Sequence, residues 1–202
     1  MPNSHSHLYG YNFRSPLRIT RSSLCQLFTY YQVMPSYLDF MMLFGANSDP
    51  LDLRYGGFCE HVMIQDPPLG CRITQLGRSG RHLQLCYNLK SAILKGVTYP
   101  QDSGNTDGEQ WRIRQAAIYH QFDIVFGTTL WVLTDPGLHL RRRFSVLTGP
   151  NGLPQDKTFG TNSECFRSSL AVHLMFCRWA AEGWHRYIRW LERMVDKHVS
   201  IV

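Results

Sequence analysis

No stretch of this chain reaches the ~18 consecutive apolar residues that a membrane-spanning helix needs. The nearest, Ala116 to Leu133, is interrupted by His120, Gln121 and Asp123, so no membrane span is expected in the chain as it stands. The amino terminus, with Pro2, His5, His7 and Arg14, lacks the apolar segment of a secretory signal. None of the cysteines Cys25, Cys59, Cys71, Cys86, Cys165 and Cys177 forms a C-x-x-C pair. They sit among apolar neighbours such as Leu85 and Phe176, which reads as reduced core residues in a cytoplasmic protein. Charged residues are also sparse, 18% of the chain against a usual ~25%. That favours a domain resting on something over a fully solvated one.

Several function classes lose their support for similar reasons. The formal net charge is +6, but it is scattered. Neither a basic helix nor an aromatic single-strand platform is visible, so nucleic acid is not an expected partner. There is no G-x-S-x-G elbow. Gly77-Arg78-Ser79-Gly80 is too short for a phosphate loop and precedes a strand pattern instead of a helix. Paired carboxylates for acid–base work are missing. His173 and Cys177 are one helical turn apart, and Cys59 and His61 share a strand face, but each pair is short of a third ligand. We therefore expect no catalytic residue, no cofactor and no metal ligand, and not an enzyme.

What the chain does have is concentrated near its end. Thr161-Asn162-Ser163-Glu164 is a T-x-x-E capping box. No proline follows it. Leu170, Leu174, Cys177, Ala181, Trp184, Ile188, Leu191 and Val195 then recur at alternating steps of four and three, a heptad seam. Val172, Phe176, Trp179, Tyr187, Trp190 and Met194 form a flanking apolar stripe. One helix over this stretch would be roughly 55 Å long. A compact domain of this length has a radius of gyration of roughly 16–17 Å. Either Gly183 breaks the helix, or its second half projects, or another helix covers it.

The remainder reads as an α+β domain with an antiparallel or mixed sheet of about five strands. Residues 1–22 are expected to be a flexible basic arm, 23–160 the sheet-containing core, and 161–202 the long helix packing on that core and projecting as a stalk. Leu24 to Val33 and Tyr37 to Phe44, the latter stopped by Gly45, read as short helices. Phe58 to Ile64, Cys71 to Leu76, and His82 to Leu89 read as strands, and residues 96–109 as a hydrophilic loop. Trp111 to Phe126 and Thr128 to Leu133 read as a hairpin, and His139 to Leu147 as an edge strand. Arg112 and Arg114 lie on one face of a strand that is apolar on both faces, with His120 beyond them. Internal pairing is the default for such arginines; an anion or partner site at Arg112, Arg114 and His120 is the alternative.

Two motifs carry more than pattern. Leu85-Cys86-Tyr87-Asn88-Leu89-Lys90 and Trp111-Arg112-Ile113-Arg114-Gln115-Ala116-Ala117-Ile118-Tyr119-His120-Gln121-Phe122-Asp123 resemble a fungal family described as CorA-like transporter domains. Tyr37-Leu38-Asp39 with Phe44-Gly45 resembles that family's opening helix. Ser169-Leu170-Ala171-Val172-His173-Leu174, Trp179 to Trp184, and Tyr187-Ile188 are similar to its later helix. The similarity covers roughly residues 24–196.

The resemblance implies a cytosolic, amino-terminal domain that is regulatory or scaffolding. Its last helix would run towards the membrane as a stalk and form a homo-oligomer. The expected helix–helix interface is Leu170, Leu174, Ala181, Trp184, Ile188, Leu191 and Val195. Magnesium enters only through the resemblance, since no site for it is identified. Longer relatives would be attached to the membrane by two further helices. The chain ends at Val202 and contains no Gly-Met-Asn, so the pore is expected to be missing and transport by this chain alone is not expected. A stand-alone protein- or anion-binding module is the other reading.

Overall fold

The computed structural model describes residues 4–8, 15–45, 55–68, 70–95, 110–135, 139–150, 152–154 and 158–199. The hydrophilic loop at 96–109 lies outside the described residues. Five strands form one sheet: β1 (Ser4–Leu8), β2 (Phe58–Met63), β3 (His82–Leu94), β4 (Trp111–Asp123) and β5 (Thr129–Thr134), in the order β1-β5-β4-β3-β2. The pairs β2–β3, β3–β4 and β4–β5 are antiparallel, whereas β1 lies parallel to β5. The sheet is therefore mixed and the class is α+β.

β4 is the middle strand, and both of its faces are buried. Ala116, Ala117, Ile118 and Tyr119 are successive residues with no solvent exposure, which obliges a covering layer on each side. On one side Ala117 and Tyr119 join Cys86, Leu130 and Val132 beneath α1 (Arg21–Tyr31) and α2 (Tyr37–Met41). The short α2 is anchored by Tyr37, whose ring is fully buried. Its hydroxyl donates to the Val132 carbonyl at 3.1 Å and meets Thr134 Oγ1 at 3.0 Å. On the other side Ala116, Ile118, Trp131 and Leu133 pack under α3 (His139–Thr148) and α4 (Asn162–Ala181) through Leu140, Phe144, Val172, Phe176 and Trp179.

α4 begins where the capping box places it. Thr161 Oγ1 accepts from the Glu164 backbone at 3.2 Å, and Glu164 accepts in return from the Thr161 backbone at 3.0 Å. Of the alternatives for the last helix, a break at Gly183 is the one found. α4 ends at Ala181, Glu182 is extended, Gly183 has φ +81°, and α5 runs Trp184–Val199. A residue with a Cβ is strained at that φ, so the glycine allows the chain to turn between the two segments.

Three local expectations need correction. His139 to Leu147 is not an edge strand; it is α3, which starts as soon as Asp135 accepts from the Leu140 backbone at 2.7 Å. Cys71 to Leu76 is not a strand; Thr74–Leu76 is a single 3-10 turn closed by an Ile73–Arg78 bridge. The expected arm contains β1, whose pairing with β5 needs only backbone groups and so leaves little trace in side-chain pattern. Tyr37→Phe should lower stability by about 1–2 kcal/mol through the lost hydrogen bond. In urea titration the midpoint should fall with no change in slope.

Candidate functional site

The α4 face of the sheet buries a line of polar groups. Pairing sets Leu85 opposite His120 and Tyr87 opposite Ile118, and His120 opposite Trp131. These residues all project towards α4, as does Thr129, paired with Phe122. α4 supplies His173, one residue beyond the buried Val172. The result is a continuous hydrogen-bonded chain. Tyr87 Oη lies 2.6 Å from His173 Nδ1, His173 Nε2 lies 3.0 Å from His120 Nδ1, and His120 Nε2 lies 3.0 Å from Thr129 Oγ1. His120 is fully buried and lies flat on Trp131, with ring centroids 4.0 Å apart and planes 14° apart.

Burial pushes the Tyr87 phenol well above its ordinary range, so it stays protonated. Two proton arrangements satisfy every link: both imidazoles protonated on Nε2 with each group donating from Tyr87 towards Thr129, or both protonated on Nδ1 with each group donating the other way. Both rings must be neutral. Burial lowers His173 to about 4. Burial, with the neighbouring His173 second, holds His120 well below its usual value. The hydrogen-bonded chain fixes the distance and register between α4 and the sheet.

A second polar cluster lies at the other end of the same face. Arg112 is exposed, and Arg114 is half-buried opposite Ser91. Ser91 Oγ donates to the Glu182 carbonyl at 3.3 Å, at the break between α4 and α5. The Glu182 carboxylate takes a two-pronged contact from Arg143 of α3. Asp135 is buried just past β5, and its Oδ1 has no hydrogen-bond partner among the described residues. Burial pushes its carboxyl up to about 7, against the opposing pull of the Leu140 backbone and of the Arg114 charge. Burial, then Arg112, lowers Arg114.

Arg112, Arg114 and His120 do not converge. They share a face, but Arg114 and His120 are six positions apart, roughly 20 Å along a strand. His120 is sealed inside, while Arg112 faces solvent. Neither arginine makes an ion pair among the described residues. His173 meets His120, whereas Cys177 is exposed. His61 instead meets His82, 3.3 Å away. Among the described residues no group of three or more His, Cys, Asp or Glu is placed to hold a metal ion.

The heptad seam also falls differently from its flanking stripe. Val172, Phe176 and Trp179 of the stripe are buried on the sheet, whereas the seam faces outward. Leu170 and Leu174 are 44% and 65% exposed, and Ile188, Leu191 and Val195 are 50%, 39% and 59% exposed. Ala181 is exposed as well. Trp184 is the exception: its indole donates to the Lys90 carbonyl at 3.3 Å and holds the start of α5 on β3. Tyr187 packs against Trp111. The Tyr87–His173–His120–Thr129 chain was missed by sequence reasoning. The available signal was a histidine at a core-facing position of each element.

Residues 4–202 match the family described as CorA-like transporters. The chain belongs to that family, which is one of transporters and not of catalysts. No curated protein and no solved structure matches it. Among the described residues, no helix is long and apolar enough to cross a membrane.

Stability should depend on pH with opposing contributions. His173 is depressed on folding, so its contribution is intact above the unfolded value of 6.5 and is lost as pH falls towards 4. Between pH 7 and 5 this amounts to about 2 kcal/mol. Asp135 is raised, so its contribution is present at low pH and is lost as pH rises from 3.8 towards 7. His173→Gln should therefore flatten the acid-side loss, and Asp135→Asn should steepen it. Denaturant titrations of the three proteins at pH 5 and pH 7 measure both slopes.

Proposed function

We propose that this chain is the soluble, amino-terminal domain of a CorA-like protein of the fungal type, with a regulatory or scaffolding role. It works by self-association through the outward side of α4 and α5. It is not a transporter by itself, since its sequence contains no Gly-Met-Asn. The observation that carries the reading is the placement of the apolar residues. The sheet's α4 face is already filled by Val172, Phe176 and Trp179, yet Leu170, Leu174, Ile188, Leu191 and Val195 stay exposed. An apolar line of that length on a surface marks a contact made with something else. Within α5 the steps of three and four between Ile188, Leu191 and Val195 suit knobs-into-holes packing against a second copy.

The surroundings fit such a contact. Arg178, Arg186, Arg189, Arg193 and Lys197 share these helices with Glu192 and Asp196, so charges of both signs lie along them. Sedimentation equilibrium tests the proposal. The native chain should associate with rising concentration, and Leu174→Glu combined with Ile188→Glu should shift it to monomer. Burial of one leucine-sized side chain is worth about 1.5–3 kcal/mol, so the double variant should weaken association by at least about a hundredfold. A native chain that stays monomeric at every concentration overturns the reading.

A further inference from the structure

The turn at Gly77 to Gly80, too short for a phosphate loop, has a different use. Arg78 lines a cleft of about 480 Å³ together with Tyr30, Tyr31, Leu76, Gln121 and Thr129 among others. That lies within the usual range of roughly 300–1,000 Å³ for small-molecule sites. The chain holds Arg78 from both sides. Its own backbone closes the bridge to Ile73, with hydrogen bonds of 2.9 Å and 3.1 Å. Before it, the Gly77 carbonyl accepts from Thr128 Oγ1 at 2.9 Å. After it, Ser79 donates to Asp123 Oδ2 from both its backbone and its hydroxyl, at 2.6 Å and 2.9 Å. Gly77 has φ +64°, and an added Cβ would stand 3.2 Å from Thr128. The turn is thus tied to the β4–β5 hairpin before any ligand arrives.

The guanidinium itself is left available. It lies 4.9 Å from the Tyr30 ring centroid and 5.6 Å from that of Tyr31, so its contacts are with aromatic faces. It has no carboxylate partner among the described residues. Asp123 lines the same cleft but is committed. Its Oδ2 serves Ser79, and its Oδ1 accepts from the Val125 and Phe126 backbones at 3.0 Å and 2.8 Å. Gln121 accepts through Oε1 from Tyr119 at 2.9 Å, which leaves its amide hydrogens as donors. A fixed arginine, spare amide donors and an aromatic wall fit an oxyanion carried on a planar body.

We propose that this cleft binds a small organic anion, with its carboxylate or phosphate on Arg78 and Gln121 and its planar body against Tyr30 and Tyr31. The site is independent of the α4–α5 surface. Titration calorimetry on the full chain with adenosine monophosphate, benzoate and inorganic phosphate tests it. Adenosine monophosphate against benzoate tells which oxyanion is preferred, and inorganic phosphate tells whether the ring matters. The better organic anion should bind more tightly than inorganic phosphate. Arg78→Gln should weaken it by about tenfold or more, the loss of a charge-assisted pair. Leu76→Trp should block the cleft while leaving the charge in place, and it keeps the test decisive should Arg78→Gln fail to fold. Arg72→Gln, which removes one exposed charge outside the cleft, should change nothing. Absence of binding by either organic anion, equal binding of inorganic phosphate, or equal losses in Arg72→Gln and Arg78→Gln would overturn the proposal.

Discussion

Four consecutive residues of β4, Ala116 to Tyr119, are shut off from solvent although their side chains point alternately to opposite faces. That constraint organises the rest. A strand dry on both sides must sit in the interior of its sheet and must be covered twice. One cover is built from α1 and α2, with Tyr37 tying its hydroxyl to β5. The other is built from α3 and α4. Small alanines at 116 and 117 let both layers approach closely, and bulk is supplied from the neighbouring strands and helices by Trp131, Phe176 and Trp179.

The second layer also determines what is left over. α4 is apolar on more than one side, and the sheet can take only one of them. It takes Val172, Phe176 and Trp179, together with His173, whose ring must find a partner once buried. His120 and Tyr87 provide it, and the three groups act as a polar key in an otherwise apolar interface. Leu170 and Leu174 then have no place against the sheet. Glu182, gripped by Arg143 and followed by Gly183, ends the helix. Trp184 and Tyr187 keep the first turn of α5 in contact with β3 and Trp111, and Ile188 onward carries apolar residues outward.

Much of this was legible beforehand, because it rests on local chemistry. The Thr161–Glu164 box fixes a helix start with two reciprocal hydrogen bonds, and alternation in His82 to Leu89 assigns the faces of β3. Other features are tertiary. His139 to Leu147 is short and ambiguous in period, and its helix depends on the Asp135 carboxylate five residues before Leu140. β1 is held by backbone pairing to a strand more than 120 residues away, which composition does not record. The heptad spacing marks two apolar lines along this stretch but does not tell which of them faces the sheet. That choice depends on which one carries rings large enough to fill the space over Ile118 and Leu133. Arg112, Arg114 and His120 share a face as alternation requires, yet distance along the strand separates them, and a one-dimensional pattern does not weigh that separation.

β4 is covered twice from within the chain, whereas the outer side of α4 and α5 is proposed to meet a second copy. Amide hydrogen exchange followed at low and high protein concentration addresses this most directly. β4 amides should be among the slowest to exchange and should not respond to concentration. Amides of α5 from Ile188 to Val199 should exchange quickly in dilute solution and slow as concentration rises. Uniform protection of α5 at every concentration, matching that of β4, would contradict the account.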